Sequence, residues 1–286
     1  MVVLGLVGRG AWARNISATL DTLPDVDWVP VTHPEPMIDG VIIANKSQDH
    51  VSSVLPFVEA GVPCFVEKPL ATRLEDFLRL EVAAEAAGGA VFAGHLHRFN
   101  PAAEAFCAAL SQIGSIQSVR AYCANNNPRD DTSVIWDWLP HPLSMARQIF
   151  GSPADQARAY SLRGRDRPLH VIAQLLYQGR RFDLEASWLA SSPAFRLIAE
   201  GRDGRLIFDD KAAYKVLLFQ EGVCQPLTYE DELPLSRELR AFVDMIRGVS
   251  RNASPLSAAK DVMHSLDAIS RSARRMGEPV AINWQG

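Results

Sequence analysis

The chain opens on Val2–Val7, a continuous apolar run that stops at Gly8-Arg9-Gly10 and gives way to helical spacing of apolar residues over 12–23. A strand buried on both faces reads as an uninterrupted apolar run, and a glycine-rich turn leading straight into a helix is how a parallel βαβ sheet begins. Gly8-Arg9-Gly10-Ala11-Trp12-Ala13 fits GxGxxG/A. The first glycine makes the turn, the second admits a pyrophosphate close to the backbone, and the third position must stay small where helix crosses strand. The unpaired N–H groups of such a helix, and its dipole, favour an anion. Gly8, Arg9, Gly10, Ala11 and Trp12 are therefore candidate cofactor-binding residues, and NAD or NADP the candidate cofactor.

The same grammar repeats over the first 95 residues. Strand-like runs at 26–32, 41–44, 63–66 and 90–94 alternate with helical patterns at 50–60 and 74–87, the second ending at Gly88-Gly89. That alternation predicts an α/β fold, a Rossmann-type doubly wound parallel sheet over 1–95. After Gly94 the pattern changes to two helices, a succession of strands with hairpin signals at Gln178-Gly179 and Asp203-Gly204, and two closing helices at 235–248 and 256–276. This predicts an α+β domain over 96–286 with an open, mostly antiparallel sheet, suited to substrate binding and oligomerisation.

Composition narrows the function. A net charge of -4 offers no basic face for nucleic acid. No apolar run approaches the roughly 20 residues of a membrane span. Cys64, Cys107, Cys123 and Cys224 are scattered without metal-ligand spacing, as expected of reduced thiols in a cytoplasmic protein.

Two clusters carry chemistry. Glu67-Lys68-Pro69 follows a buried strand, at the carboxyl edge where ligands of parallel sheets bind. Neighbouring Glu and Lys otherwise form surface ion pairs, but Pro69 restricts Lys68 to extended geometry and admits a cis bond. Asp137-Trp138-Leu139-Pro140-His141 sets a carboxylate and an imidazole four residues apart, on one face of a helix expected over 136–150. Pro140 is expected in a first helical turn with Asp137 near the cap. On spacing alone the pair reads equally well as a cap beside a core histidine.

These motifs together make the chain recognisable. GxGxxA, then Ile42-Ile43-Ala44-Asn45 followed by His50, then the run Ala60 through Ala71 containing Glu67-Lys68-Pro69, resemble the glucose–fructose oxidoreductase / inositol dehydrogenase (Gfo/Idh/MocA) family. Gly94-His95-Leu96-His97-Arg98-Phe99-Asn100-Pro101 resembles its domain-crossing segment, Asp137 and His141 its DxxxH helix, and Glu200-Gly201 through Asp209 one of its hairpins. The resemblance implies a dehydrogenase or reductase acting on the CH–OH group of a sugar, cyclitol or sugar derivative. In it Lys68 and His141 face the substrate and Asp137 orients His141. It also implies cofactor contacts from Thr32, His33, Ala44, Asn45, His50, Glu67 and Lys68, and substrate contacts from His95, Arg98 and Asn125. The chemistry agrees. Oxidising an alcohol by hydride transfer releases its proton, which histidine accepts near neutrality, while a cationic lysine stabilises the alkoxide; no metal is needed.

The chain departs from the family at 33–40, where a helix and a strand are usual. A helical crossover needs at least about 10–12 residues, so an extended segment without a helix is expected, with a trimmed adenosine pocket. The strand before it ends Val31-Thr32-His33-Pro34, without the ribose-binding carboxylate of the fingerprint until Glu35, so the choice between NAD and NADP stays open. Asn45-Lys46-Ser47 adds a cation at the cofactor edge. Two other readings stand beside the dehydrogenase: a reductase of a C=N or conjugated substrate, and a non-catalytic nucleotide-sensing regulator, which has no need of Lys68, Asp137 and His141 together. Apolar residues on both faces of strands at 171–177 and 182–189 point to a homodimer or dimer of dimers.

Overall fold

The computed structural model describes residues 1–163 and 167–284, which form two compact units. The first unit comprises Met1–Phe99 and Glu232–Met263. Five parallel strands stand in the order β2-β1-β3-β4-β5: β1 (Val2–Val7), β2 (Val26–Pro30), β3 (Gly40–Ile43), β4 (Cys64–Glu67) and β5 (Val91–Gly94). Between them run α1 (Ala11–Leu20), α2 (His50–Glu59) and α3 (Leu74–Ala87), the last stopped by Gly88 in the left-handed conformation. β3, β4 and β5 are buried along their whole length, as their apolar runs require, with Glu67 at the end of β4 the one charged residue among them.

The expected helix-free connection is present. Residues 31–39 hold no helix or strand; the link continues the pairing of β2 through Val31 N–H to Leu6 O (3.1 Å), turns at Glu35, and is tied back to β1 by Asp39 N–H to Val3 O (2.8 Å).

The second unit comprises Asn100–Asp231 and His264–Gly286 within the described range. Its nine strands are β6 (Ile116–Ala124), β7 (Gln156–Arg163), β8 (Pro168–Tyr177), β9 (Arg180–Ser187), β10 (Ala194–Gly201), β11 (Arg205–Asp209), β12 (Val216–Gln220), β13 (Val223–Pro226) and β14 (Val280–Ala281). They stand in the order β13-β12-β11-β10-β6-β9-β8-β7-β14, antiparallel except for the β6–β9 pair. α4 (Pro101–Ala108) packs on β11 and β12, and α5 (Val134–Trp138) on β8 and β9; α6 (Pro140–Phe150) follows α5. Gln178 and Gly179 both have positive φ, as a mirror-image hairpin turn requires, and Gly179 adopts it without a Cβ to strain.

Two expectations are corrected. The helix foreseen over 136–150 is two helices meeting at Leu139, because Pro140 supplies no N–H to an earlier turn and starts a new helix instead. Asp137 therefore lies inside α5 and not at a cap. The second correction concerns α7 (Pro234–Ile246). The sequence pattern groups it with 96–286, whereas Glu232–Met263 belongs to the first unit, together with the opening of α8 (Leu256–Arg274). The reason is packing. Leu239, Phe242 and Val243 fill the first unit's core beside Phe65 and Phe92, with ring centroids of Phe242 5.6 and 5.7 Å from those two. Burying such a ring stabilises by about 1.5–3 kcal/mol.

Candidate active site

Turns leaving the carboxyl ends of neighbouring strands β1, β3 and β4 carry most of the expected cofactor residues. Gly8 has φ +144°, and a Cβ there would lie 2.4 Å from Ala44 O, so the protein's own backbone demands glycine. Gly10 is different. Its φ of −71° and ψ of 178° suit any residue, and a Cβ on it would meet nothing within 4 Å. It caps α1 without any side-chain hydrogen bond to the first-turn N–H groups, and no acidic residue occupies that turn. An open space before uncapped N–H groups fits a pyrophosphate. Ala11 is exposed and Trp12 half-buried against the core.

Beside this turn a cavity of about 210 Å³ is lined by Gly8, Arg9, Pro30, Thr32 and Glu35, among others. Thr32 is exposed, its Oγ1 3.0 Å from His33 Nδ1. The short link thus brings Glu35, three residues past Thr32, to the same cavity.

Past β3, Ala44 is buried and donates its N–H to Val7 O (2.8 Å), while Asn45 Nδ2 donates to Ser53 Oγ (2.7 Å). Lys46 is exposed. His50 is buried, with Nδ1 2.8 Å from Pro69 O and Nε2 3.3 Å from Asn45 O. It ties the Asn45 turn to the Lys68 loop and presents no open ring edge. Glu67 is 4% exposed, and its Oε2 accepts the Lys68 N–H at 3.1 Å. Lys68 is half-buried and its bond to Pro69 is cis.

Of the three expected substrate contacts, His95 and Arg98 lie in the first unit and Asn125 in the second. His95 is only 2% exposed, and burial, with Arg98 adding to it, pushes its pKa down to about 3. It is a neutral core histidine in the first unit. Arg98 is half-buried and reaches Ala253 O at 3.5 Å. Asn125, in the second unit, accepts the Asn127 N–H (3.2 Å) through its side chain and pairs with Ser187 and Ala190 through its backbone.

Lys68 lies in the first unit; Asp137 and His141 lie in the second. Asp137 is 6% exposed. Its Oδ2 accepts the indole N–H of the fully buried Trp188 at 3.2 Å, and its Oδ1 lies 3.8 Å from Arg129 Nη1. Arg129 is itself clamped by Asp131, at 3.0 and 2.9 Å, and its carbonyl accepts from Arg167 Nη1 at 2.6 Å. His141, half-buried, comes after the α5–α6 junction, edge-on to Trp138 and Phe195 at 5.7 and 6.0 Å. Sequence reasoning did not single out Arg129, Asp131 or Trp188, and named Glu35 only as the first carboxylate after the second strand. The first two stand in the polar loop at 125–131 and Glu35 in the unusual link, weak signals that position alone gave; nothing local marks Trp188.

The chain thus combines a Rossmann-type parallel sheet with an α+β sheet unit that carries a buried Asp and a His four residues on. The profile of the "Oxidoreductase family, NAD-binding Rossmann fold" matches residues 13–95. A solved structure from Magnetospirillum magnetotacticum MS-1 is 30% identical, covering 93% of this chain and 99% of that one with a TM-score of 0.84. The chain belongs to the Gfo/Idh/MocA family. Inositol 2-dehydrogenase of Acidothermus cellulolyticus is 33% identical over 132 residues, 44% of this chain, and the match spans only 38% of that relative's length. The WlbA dehydrogenase of Bordetella pertussis, solved with NADH and UDP-GlcNAcA, shares the fold at 19% identity, with 99% of each chain covered and a TM-score of 0.85.

Proposed function

We propose that this protein is an NAD(P)-dependent oxidoreductase that transfers a hydride to or from a CH–OH carbon of a sugar, cyclitol or sugar derivative. The observation that carries the reading lies along one sheet edge: the open Gly10 turn after β1 and the half-buried Lys68 after β4 share the carboxyl end of a single parallel sheet. When bound, the nicotinamide supplies the hydride acceptor or donor. Gly10 and the α1 N–H groups hold the pyrophosphate, and Glu35 accepts from the adenosine ribose, which supports NAD over a 2′-phosphorylated cofactor. The Lys68 ammonium stabilises negative charge on the substrate oxygen, and His141 accepts the hydroxyl proton. Asp137, held by Trp188 and Arg129, orients His141. Inositol 2-dehydrogenases among the relatives support a cyclitol or sugar substrate.

The reading extends to assembly and location. Tyr160, Ile172, Glu185, Tyr122 and Arg196 form one row across five strands of the second sheet. Ile172 is 54% exposed and Tyr160 57%. A second copy covering that face makes a homodimer, or a dimer of dimers. Among the described residues no helix is long and apolar enough to cross a membrane, and the free cysteines support a cytoplasmic setting. The test is fluorescence titration with NADH and NADPH, then a panel of cyclitols and sugars with the wild type, Lys68→Met and His141→Phe. Turnover in the wild type, with both variants binding cofactor normally but at least about 100-fold slower, is expected; equal rates in all three would refute the catalytic roles.

A further inference from the structure

Glu238 is 0% exposed, in the middle of α7, a helix whose neighbours Leu239, Phe242 and Val243 are core residues of the first unit. An ionised carboxylate there, without full compensation, costs several kcal/mol. Neither of its oxygens has a well-formed hydrogen bond among the described residues. Phe242, one turn along α7, packs edge-on against Phe65 of β4 at 5.6 Å, two residues before Glu67; Glu67 and the His95 backbone act on the Glu238 carboxyl, while α1 contributes apolar Ile16 and Leu20. Burial first, and the charge of Glu67 second, push its pKa well above the ordinary 4.5, against a smaller opposing pull from the His95 backbone. His95, neutral at working pH, supplies no countercharge. Both carboxyls are buried, at 0% and 4% exposure, and burial together with the repulsion between them favours a proton on Glu238.

We infer that Glu238 is a positioning residue: a neutral carboxyl on α7 that donates a hydrogen bond to Glu67 and so fixes the acceptor on which the Lys68 backbone N–H rests. It completes a relay running Glu238, Glu67, Lys68 N–H, with no covalent link and no net proton transfer. The assignment rests on the proposed role of Lys68, but its first test does not. In the unfolded chain the Glu238 carboxyl ionises near 4.5, whereas in the fold it keeps its proton far above that. Between those two values unfolding releases a proton, so rising pH removes stability that a glutamine at 238 does not lose.

The Tm of Glu238→Gln minus that of wild type should therefore grow from about pH 5 to about pH 8. Infrared difference spectra of the two proteins at the upper pH should also contain a protonated-carboxyl C=O band from the wild type. A pH-independent Tm difference, or no such band, overturns the inference. Kinetics test the link to Lys68. Glu238→Gln, which retains a neutral donor, should stay within a few-fold of wild-type kcat, and Glu238→Leu should lose about tenfold or more in kcat with NADH affinity unchanged. Wild-type kcat in Glu238→Leu, or equal losses in both variants, overturns it. Should Lys68→Met turn over normally, the catalytic reading of Lys68 falls, while the Tm and infrared results still report on the carboxyl pair.

Discussion

The two glycines of the nucleotide turn should fail in opposite ways. At Gly8 an alanine is strained twice. Its φ of +144° is a region L residues rarely occupy, which costs about 1–3 kcal/mol. Its Cβ also falls 2.4 Å from Ala44 O and 2.7 Å from Ala44 C, backbone atoms that move only by loosening the 2.8 Å hydrogen bond from Ala44 N–H to Val7 O between β3 and β1. Losing that bond adds about 1 kcal/mol. The sum, roughly 2–4 kcal/mol, corresponds to a fall of about 5–15 °C in Tm. At Gly10 the backbone is ordinary and the space empty, so Gly10→Ala should fold within about 1 kcal/mol of wild type, gaining slightly if anything from a less flexible unfolded chain. The new methyl, however, occupies the approach of a pyrophosphate to the α1 N–H groups. NADH affinity should drop at least about tenfold, or 1.4 kcal/mol. Differential scanning fluorimetry and NADH fluorescence titration on the three proteins settle it. A Gly10→Ala protein with wild-type affinity refutes the placement of the pyrophosphate; a Gly8→Ala protein with wild-type Tm refutes the steric argument.

Three further outcomes are expected. Glu35→Ala should weaken NADH binding about three- to tenfold while leaving NADPH equal or improved, since it removes a ribose acceptor that repels a 2′-phosphate; titration with both cofactors checks this, and unchanged discrimination counts against it. Trp188→Phe strips the buried Asp137 of its indole donor, so about 1–3 kcal/mol of stability should go, along with most of kcat but not cofactor affinity, as chemical denaturation and steady-state rates would report. Light scattering should give at least twice the 31.4 kDa of one chain, and Ile172→Asp on the exposed sheet face should shift that mass toward one chain; a wild type already at one chain's mass contradicts the dimer.

The parts of the fold legible in the sequence are those that local chemistry determines. β1, its glycine turn and α1 are contiguous, so the turn is legible locally, although the steric demand on Gly8 comes from Ala44, past the end of β3. The missing crossover helix is legible from length, because too few residues separate β2 from β3 to make one. Pro140 is correctly read as the start of a helix, but the consequence for Asp137 is not visible from spacing. Lacking an N–H, a proline closes one helix as surely as it opens the next, so Asp137 becomes an interior residue whose carboxylate needs Trp188, 51 positions away. The misassigned α7 shows the same limit from another side. An amphipathic pattern states that Leu239, Phe242 and Val243 are buried, but not in which core. One signal did exist. Glu238 stands three residues after Leu235 and four before Phe242, squarely in the apolar stripe, where a charged side chain has no solvent to face. An acid at such a phase must either unbalance the helix or find a polar partner beneath it. The partner we infer for it is Glu67, whose carboxylate accepts the Lys68 N–H. Catalytic machinery depends on desolvation, and desolvation is decided by which distant helix covers the strand end; a charged residue in the apolar phase of a helix is therefore the sequence's clearest trace of it.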